Sequence, residues 1–195
     1  VKNKNNIWVF ASGSGTNAAK LVSHFSKHEK LRISGLFTNR PDCGAAKLAR
    51  EAGVAVFSLT DAEIQQHGTL LNLLKKQAVE GIILAGFLRK IPDDVVEAFP
   101  EKIINIHPSL LPAFGGKGMY GMHVHRAVKQ SGVPETGITV HLVNRVYDDG
   151  RILFQTDIPV TPEDTPESIA AKVQALEHTH FAPVCDAHFS EILGD

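Results

Sequence analysis

Cysteine is scarce in this chain. Only Cys43 and Cys185 occur among its 195 residues, which excludes a disulfide framework and suits a reducing cytoplasm, where the ordinary outcome is two inert buried thiols. Charge of one sign is also lacking: twenty basic against twenty-one acidic residues leave a formal net charge of -1, so no global field attracts nucleic acid or an anionic membrane. Long hydrophobic runs are missing as well. After the polar start VKNKNN, no apolar stretch approaches the roughly 18 residues of a membrane span, and the start does not read as a signal peptide. Repeats, low-complexity segments and inter-domain linkers are likewise not found. These absences point to a cytoplasmic protein with small-molecule partners, no nucleic acid and no membrane, and they leave monomer and homodimer both open.

What is present is a core. With 43% hydrophobic and 21% charged residues, the chain is expected to fold as a single domain over residues 1–195, the first six forming a polar tail. Apolar runs of strand length recur at Ile7 to Ala11, Ile33 to Phe37, Val54 to Phe57, Gly81 to Leu84 and Lys102 to Ile106. Segments of helical character separate them; Ala45, Leu48, Ala49 and Ala52 recur at three- and four-residue spacing before Gly53 ends the pattern. The alternation predicts an α/β fold, a mostly parallel, Rossmann-like twisted sheet flanked by helices. Two further runs, Gly137 to Val143 and Arg151 to Val160, are close enough for an antiparallel pair near the C-terminal part. TPESIAAKVQALEHTHF then predicts a long helix with Thr165 as N-cap and Pro166 in its first turn.

The turn from Gly13 to Ala18 reads G-x-G-x-x-A between a strand and a helix, a form that places backbone N–H groups around phosphate. A dinucleotide site would want an acidic residue about 20 positions on; Thr38, Asn39 and Arg40 stand there instead. Arg40 could meet the 2′-phosphate of NADP, so an NADP-binding oxidoreductase stays open beside a single-phosphate site and beside a binding module without chemistry. Asn105 and His107, two apart on a strand, project to one side, just before the glycine-rich stretch HPSLLPAFGGKGMYGMH. An amide donor and a titratable base on one ledge are what acyl transfer to an amine asks for. Asp148 and Asp149 are candidate acidic partners of the histidine. The pairs His123/His125 and His178/His180 raise a metal site, but on a helix two residues apart point about 200° apart, and no cysteine cluster or H-E-x-x-H accompanies them; no metal is expected.

In the order SGSGTN, LAGFLRKI, NIHPSLLPAF, GMHVHRAV, GITVHLV, YDDG and VQALEH, the chain from Ile7 to about Pro183 resembles the phosphoribosylglycinamide formyltransferases of purine synthesis. The resemblance implies the formyltransferase fold and direct transfer of formyl from 10-formyltetrahydrofolate, as co-substrate, to the amine of glycinamide ribonucleotide, with no metal. It implies Asn105, His107 and Asp148 as catalytic residues: Asn105 stabilising the oxyanion of the tetrahedral intermediate, His107 donating a proton, Asp148 holding His107 and favouring its imidazolium form. Gly15, Thr16 and Asn17 would hold the nucleotide phosphate, with Gln174 and Glu177 as further nucleotide ligands. Leu88, Arg89, Lys90 and Ile91, with Asn144, Arg145, Val146 and Tyr147, would wall the folate pocket. Leu111-Pro112 resembles a bond that is cis in the family. The register of the acidic loop puts the working carboxylate at Asp148 and turns Asp149 to water. The chain is expected to carry neither the RNA-binding nor the regulatory domain of related formyl-handling enzymes.

Overall fold

A computed structural model describes residues 4–194. Seven strands form one sheet in the order β3-β2-β1-β4-β5-β6-β7: β1 is Asn5–Phe10, β2 Leu31–Thr38, β3 Ala55–Ser58, β4 Gly81–Leu84, β5 Ile103–His107, β6 Glu135–Leu142 and β7 Ile152–Pro159. The first five are parallel. β6 runs antiparallel to β5 and to β7. Strand β1 starts at Asn5, so Asn5 and Asn6, expected in a polar tail over residues 1–6, belong to the sheet, and residues 1–3 of that expectation lie outside the described residues. Its asparagines are absorbed by partners at the strand entrance: Asn5 N–H bonds Lys30 O, and Asn6 N–H donates to Glu80 Oε2 at 2.9 Å.

Alternation along the strands divides the apolar residues between two faces. Ile7 and Val9 join the cluster covered by α1 (Thr16–Phe25), α2 (Gly44–Glu51), α6 (Met122–Ser131) and α7 (Pro166–Leu193). Trp8 and Phe10 join the other, covered by α3 (Asp61–Gln65), α4 (Thr69–Lys76) and α5 (Asp93–Ala98). Helix α7 begins as its sequence predicts, on a capping box in which Thr165 accepts from Ser168 N, with Pro166 in the first turn. Because β2 and β3 lie on one side of β1 while β4 and β5 lie on the other, the loops leaving β1 and β4 diverge in opposite directions. That switch point opens a crevice at the carboxyl ends of the strands.

Candidate active site

The crevice is a cleft of about 720 Å³, and every residue to which the resemblance gives a catalytic or binding role lines it. The turn after β1 supplies Gly15, Thr16 and Asn17; the segment after β4 supplies Leu88, Arg89, Lys90 and Ile91; β5 supplies Asn105 and His107. Asn144 through Asp148 enter from the loop after β6, and Gln174 and Glu177 from α7.

Gly15 caps α1 with φ 85°, and a Cβ there would overlap the backbone of Ala45 on α2. Only glycine meets both demands. No side chain caps α1, so its first N–H groups stay directed at the cleft, where an anion is favoured. Asn17 Nδ2 donates to Glu177 Oε2 at 2.7 Å, and Gln174 Nε2 donates to Thr16 Oγ1 at 3.4 Å. The Asn17 amide oxygen is buried without a partner. Burial raises the Glu177 carboxyl above its usual range, the Asn17 bond only partly opposing it.

Asn105 and His107 share the sheet face of Ile103, while Ile104 and Ile106 turn to the opposite cluster. Antiparallel pairing sets His141 directly across from Asn105 and Thr139 across from His107. The His141 Nδ1–H donates to Leu142 O at 2.9 Å, which leaves Nε2 bare to accept from Asn105 Nδ2 at 3.1 Å. One amide hydrogen of Asn105 is thereby fixed and the other is free for the cleft. Thr139 Oγ1 donates to Ser109 O at 2.7 Å and accepts from Leu111 N at 2.9 Å, anchoring the loop that carries the cis Leu111-Pro112 bond.

His107 is 3% exposed. Its Nε2–H donates to Phe114 O at 2.8 Å, and Nδ1 faces Asp148 Oδ2 at 3.5 Å. The other Asp148 oxygen lies 3.6 Å from His141 Nε2, and the carboxylate accepts from Gly116 N at 2.8 Å. Burial pushes the Asp148 carboxyl up, but His141 and His107 when protonated, with the Gly116 N–H, bring it below the usual carboxylate range. At His107 the Asp148 charge acts in the direction the resemblance implies, raising the pKa, but a larger effect opposes it. Burial lowers its pKa by more than the Asp148 charge and the Phe114 carbonyl raise it, so the net effect of the site is to favour the neutral ring.

Asp149 is exposed, accepting from Asn144 Nδ2 at 3.3 Å, whereas Asp148 turns inward with φ 53°. The register is held by Gly150, where a Cβ would overlap the Leu142 carbonyl. Around the mouth, Arg89 pairs with Asp61 at 2.7 Å, Lys90 with Asp93 at 2.9 Å, and Arg145 with Glu97. Arg40 lies outside the cleft, on a neighbouring hollow that shares Gly13 and Ser14 with it. Among the described residues no group of three or more His, Cys, Asp or Glu side chains is placed to hold a metal ion. Sequence reasoning missed His141 and His125 as parts of the site. The strand register held the signal for His141, since pairing β5 with β6 puts it beside Asn105.

The chain belongs to the formyl transferase family, which it matches over residues 5–185. Within that family its relatives are phosphoribosylglycinamide formyltransferases. The chloroplastic enzyme of Arabidopsis thaliana is 43% identical over 188 residues, covering 92% of this chain and 63% of that protein. That of Escherichia coli (strain K12) is 32% identical over 178 residues, covering 89% and 82%. The crystal structure of the Bacillus halodurans phosphoribosylglycinamide formyltransferase matches with a TM-score of 0.86 at 28% identity, covering 96% of this chain and 97% of that one. The chain spans 63%, 59% and 61% of the length of the three chloroplastic relatives. The family and the architecture read from the sequence are both borne out.

Proposed function

We propose that the chain transfers the formyl group of 10-formyltetrahydrofolate to the amine of glycinamide ribonucleotide, giving formylglycinamide ribonucleotide and tetrahydrofolate in purine synthesis. The observation that carries this reading is the convergence of Asn105, His107 and Asp148 in one cleft between the uncapped start of α1 and the walls made by residues 88–91 and 144–147. The N–H groups of Gly15, Thr16 and Asn17 bind the phosphate, and Glu177 and Gln174 hold the ribose side. Ile91 and the exposed Leu88, Val146 and Tyr147 supply apolar surface for a flat ring system, and the backbone of residues 88–91 and 144–148 can read its polar edge. Those walls fit 10-formyltetrahydrofolate, which supplies the activated formyl carbon.

Asn105, fixed by His141, aims its free N–H where carbonyl charge develops. Burial draws His107 toward the neutral form and Asp148 draws it toward imidazolium. A base balanced in this way can take the proton of the attacking amine and return one to the departing nitrogen near neutral pH. Gln174, Glu177 and the glycine turn hold the amine in place while this happens, removing the entropic cost of encounter.

We place the chain in the cytoplasm, acting on small molecules. Among the described residues, no helix is long and apolar enough to cross a membrane, and both cysteines are free thiols. Loss of 10-formyltetrahydrofolate, followed with and without glycinamide ribonucleotide, tests the reaction. Consumption only when the nucleotide is present is expected. Equal consumption in its absence would indicate hydrolysis, and none in either case would indicate a binding module.

A further inference from the structure

Two buried polar atoms without a partner belong to residues lining the cleft, Asn17 Oδ1 and His125 Nδ1. The first falls in the proposed nucleotide site. The second has no role in the reaction as described above. His125 lies in the N-terminal half of α6, 6% exposed, between Val124 and Val128 on the buried face. Its ring borders the cleft together with His107 of β5 and Val173 of α7.

Elementary chemistry fixes what this imidazole can offer. A buried N–H without an acceptor costs more than a bare ring nitrogen without a donor, so the orphaned Nδ1 is the bare one. The proton therefore sits on Nε2. Burial, with the neighbouring His107 charge adding to it, lowers the pKa of His125 and so favours this neutral single-donor form. A neutral donor at the cleft wall calls for an acceptor on the ligand.

Position selects which acceptor. His125 is close enough to His107 to feel its charge, and its helix α6 packs against α7, which carries Gln174 and Glu177, proposed for the ribose. Between the reacting amine and the ribose, glycinamide ribonucleotide has a methylene and one carboxamide. Its carbonyl is the only acceptor in that stretch. We infer that His125 Nε2–H donates a hydrogen bond to the carboxamide carbonyl of the nucleotide substrate and so sets the reach of its amine toward the formyl carbon. This inference rests on the proposed function and adds a specificity-determining contact to it.

The test compares steady-state constants for wild type, His125→Leu and His125→Gln, the last keeping a donor at similar reach. His125→Leu is expected to raise KM for glycinamide ribonucleotide on the order of 10-fold, the worth of one hydrogen bond, with KM for 10-formyltetrahydrofolate unchanged. His125→Gln is expected to recover most of that loss. A folded His125→Leu with unchanged nucleotide KM overturns the inference, and so does an equal rise in both KM values in both variants. Should His125→Leu not fold, ¹⁵N NMR of the wild-type imidazoles decides: His125 is expected as the Nε2–H tautomer, its Nε2 resonance shifting as glycinamide ribonucleotide saturates the protein. Formyl transfer by wild type with a silent His125 resonance defeats this inference alone. No transfer and no nucleotide-induced shift anywhere defeats the proposed function and this inference with it.

Discussion

The two halves of the cleft are built by opposite means. The proposed nucleotide half joins residues that are far apart in sequence through side-chain hydrogen bonds: Asn17 meets Glu177 in a partly buried contact, Thr16 meets Gln174 at the rim, and the buried Gly15 is wedged against α2. The pterin half is mostly exposed, with Leu88 at 41%, Tyr147 at 43% and Val146 at 61%, and its cationic heads are held aside in surface ion pairs. A small charged ligand is recognised by few strong contacts that must be in place beforehand. A broad ring system gains from area and backbone edges, which tolerate looser walls. The proposed catalytic residues sit where the two constructions meet.

That contrast can be broken most severely at the junction. Asn105→Ala is expected to lower kcat on the order of 100- to 1000-fold with the fold intact, since it removes a donor aimed at developing charge; turnover within about threefold of wild type would assign Asn105 to structure. Asp148→Asn should cost at least about 100-fold and alter the pH profile, while Asp149→Asn should stay within several-fold. The reverse order would mean that the loop works one residue out of register.

On the nucleotide side, Glu177→Gln is expected to raise KM for glycinamide ribonucleotide about 10-fold, the worth of a charge-assisted bond, while raising Tm of the free protein. A carboxyl whose folded pKa is raised binds protons more tightly in the native state, so its contribution falls as pH rises from its ordinary 4.5 through the folded pKa. The neutral amide escapes that penalty. Thermal melts at pH 5 and pH 8 check it, since the gain should be larger at the higher pH. His107 has the opposite sign: with its pKa lowered below 6.5, the unfolded chain protonates first and stability declines as pH falls through 6.5 toward the folded value. His107→Gln should flatten that decline. The smallest effect belongs to the mouth, where Arg89→Ala removes an exposed ion pair and should change KM for 10-formyltetrahydrofolate by roughly threefold or less, with Tm unmoved. A tenfold change would show that the pterin half also relies on fixed charge.

Much of this was legible from local pattern. Gly81–Leu84 is a strand with the limits that its apolar run predicts, and the other six strands shift by one or two residues at their ends. The glycine turn, the ledge of Asn105 and His107, and the start of α7 follow from spacing and capping chemistry. What local pattern does not carry is which strands become neighbours. The antiparallel pairing of β5 with β6 depends on packing across the whole sheet, and that pairing is what turns His141 from one histidine among ten into the partner of Asn105. The balance of forces on His107 was hidden for a related reason, since burial is a property of the assembled fold. The resemblance implies the register of the acidic loop, whereas the contact that holds it, Gly150 against the Leu142 carbonyl, belongs to the assembled fold.

The bond from Asn17 to Glu177 spans 160 residues, and this has a consequence for biogenesis. During synthesis the catalytic strand, the histidine pair and the acidic loop all leave the ribosome before α7 does. Closing so long a span is slow compared with local helix and hairpin formation. A nascent chain arrested before α7 would carry the reactive groups but no grip on the nucleotide, and the α7-facing side of its sheet would lie bare for chaperones to cover. On the proposed reading, competence to bind the nucleotide is therefore acquired only with α7, in the step that also covers its face of the sheet.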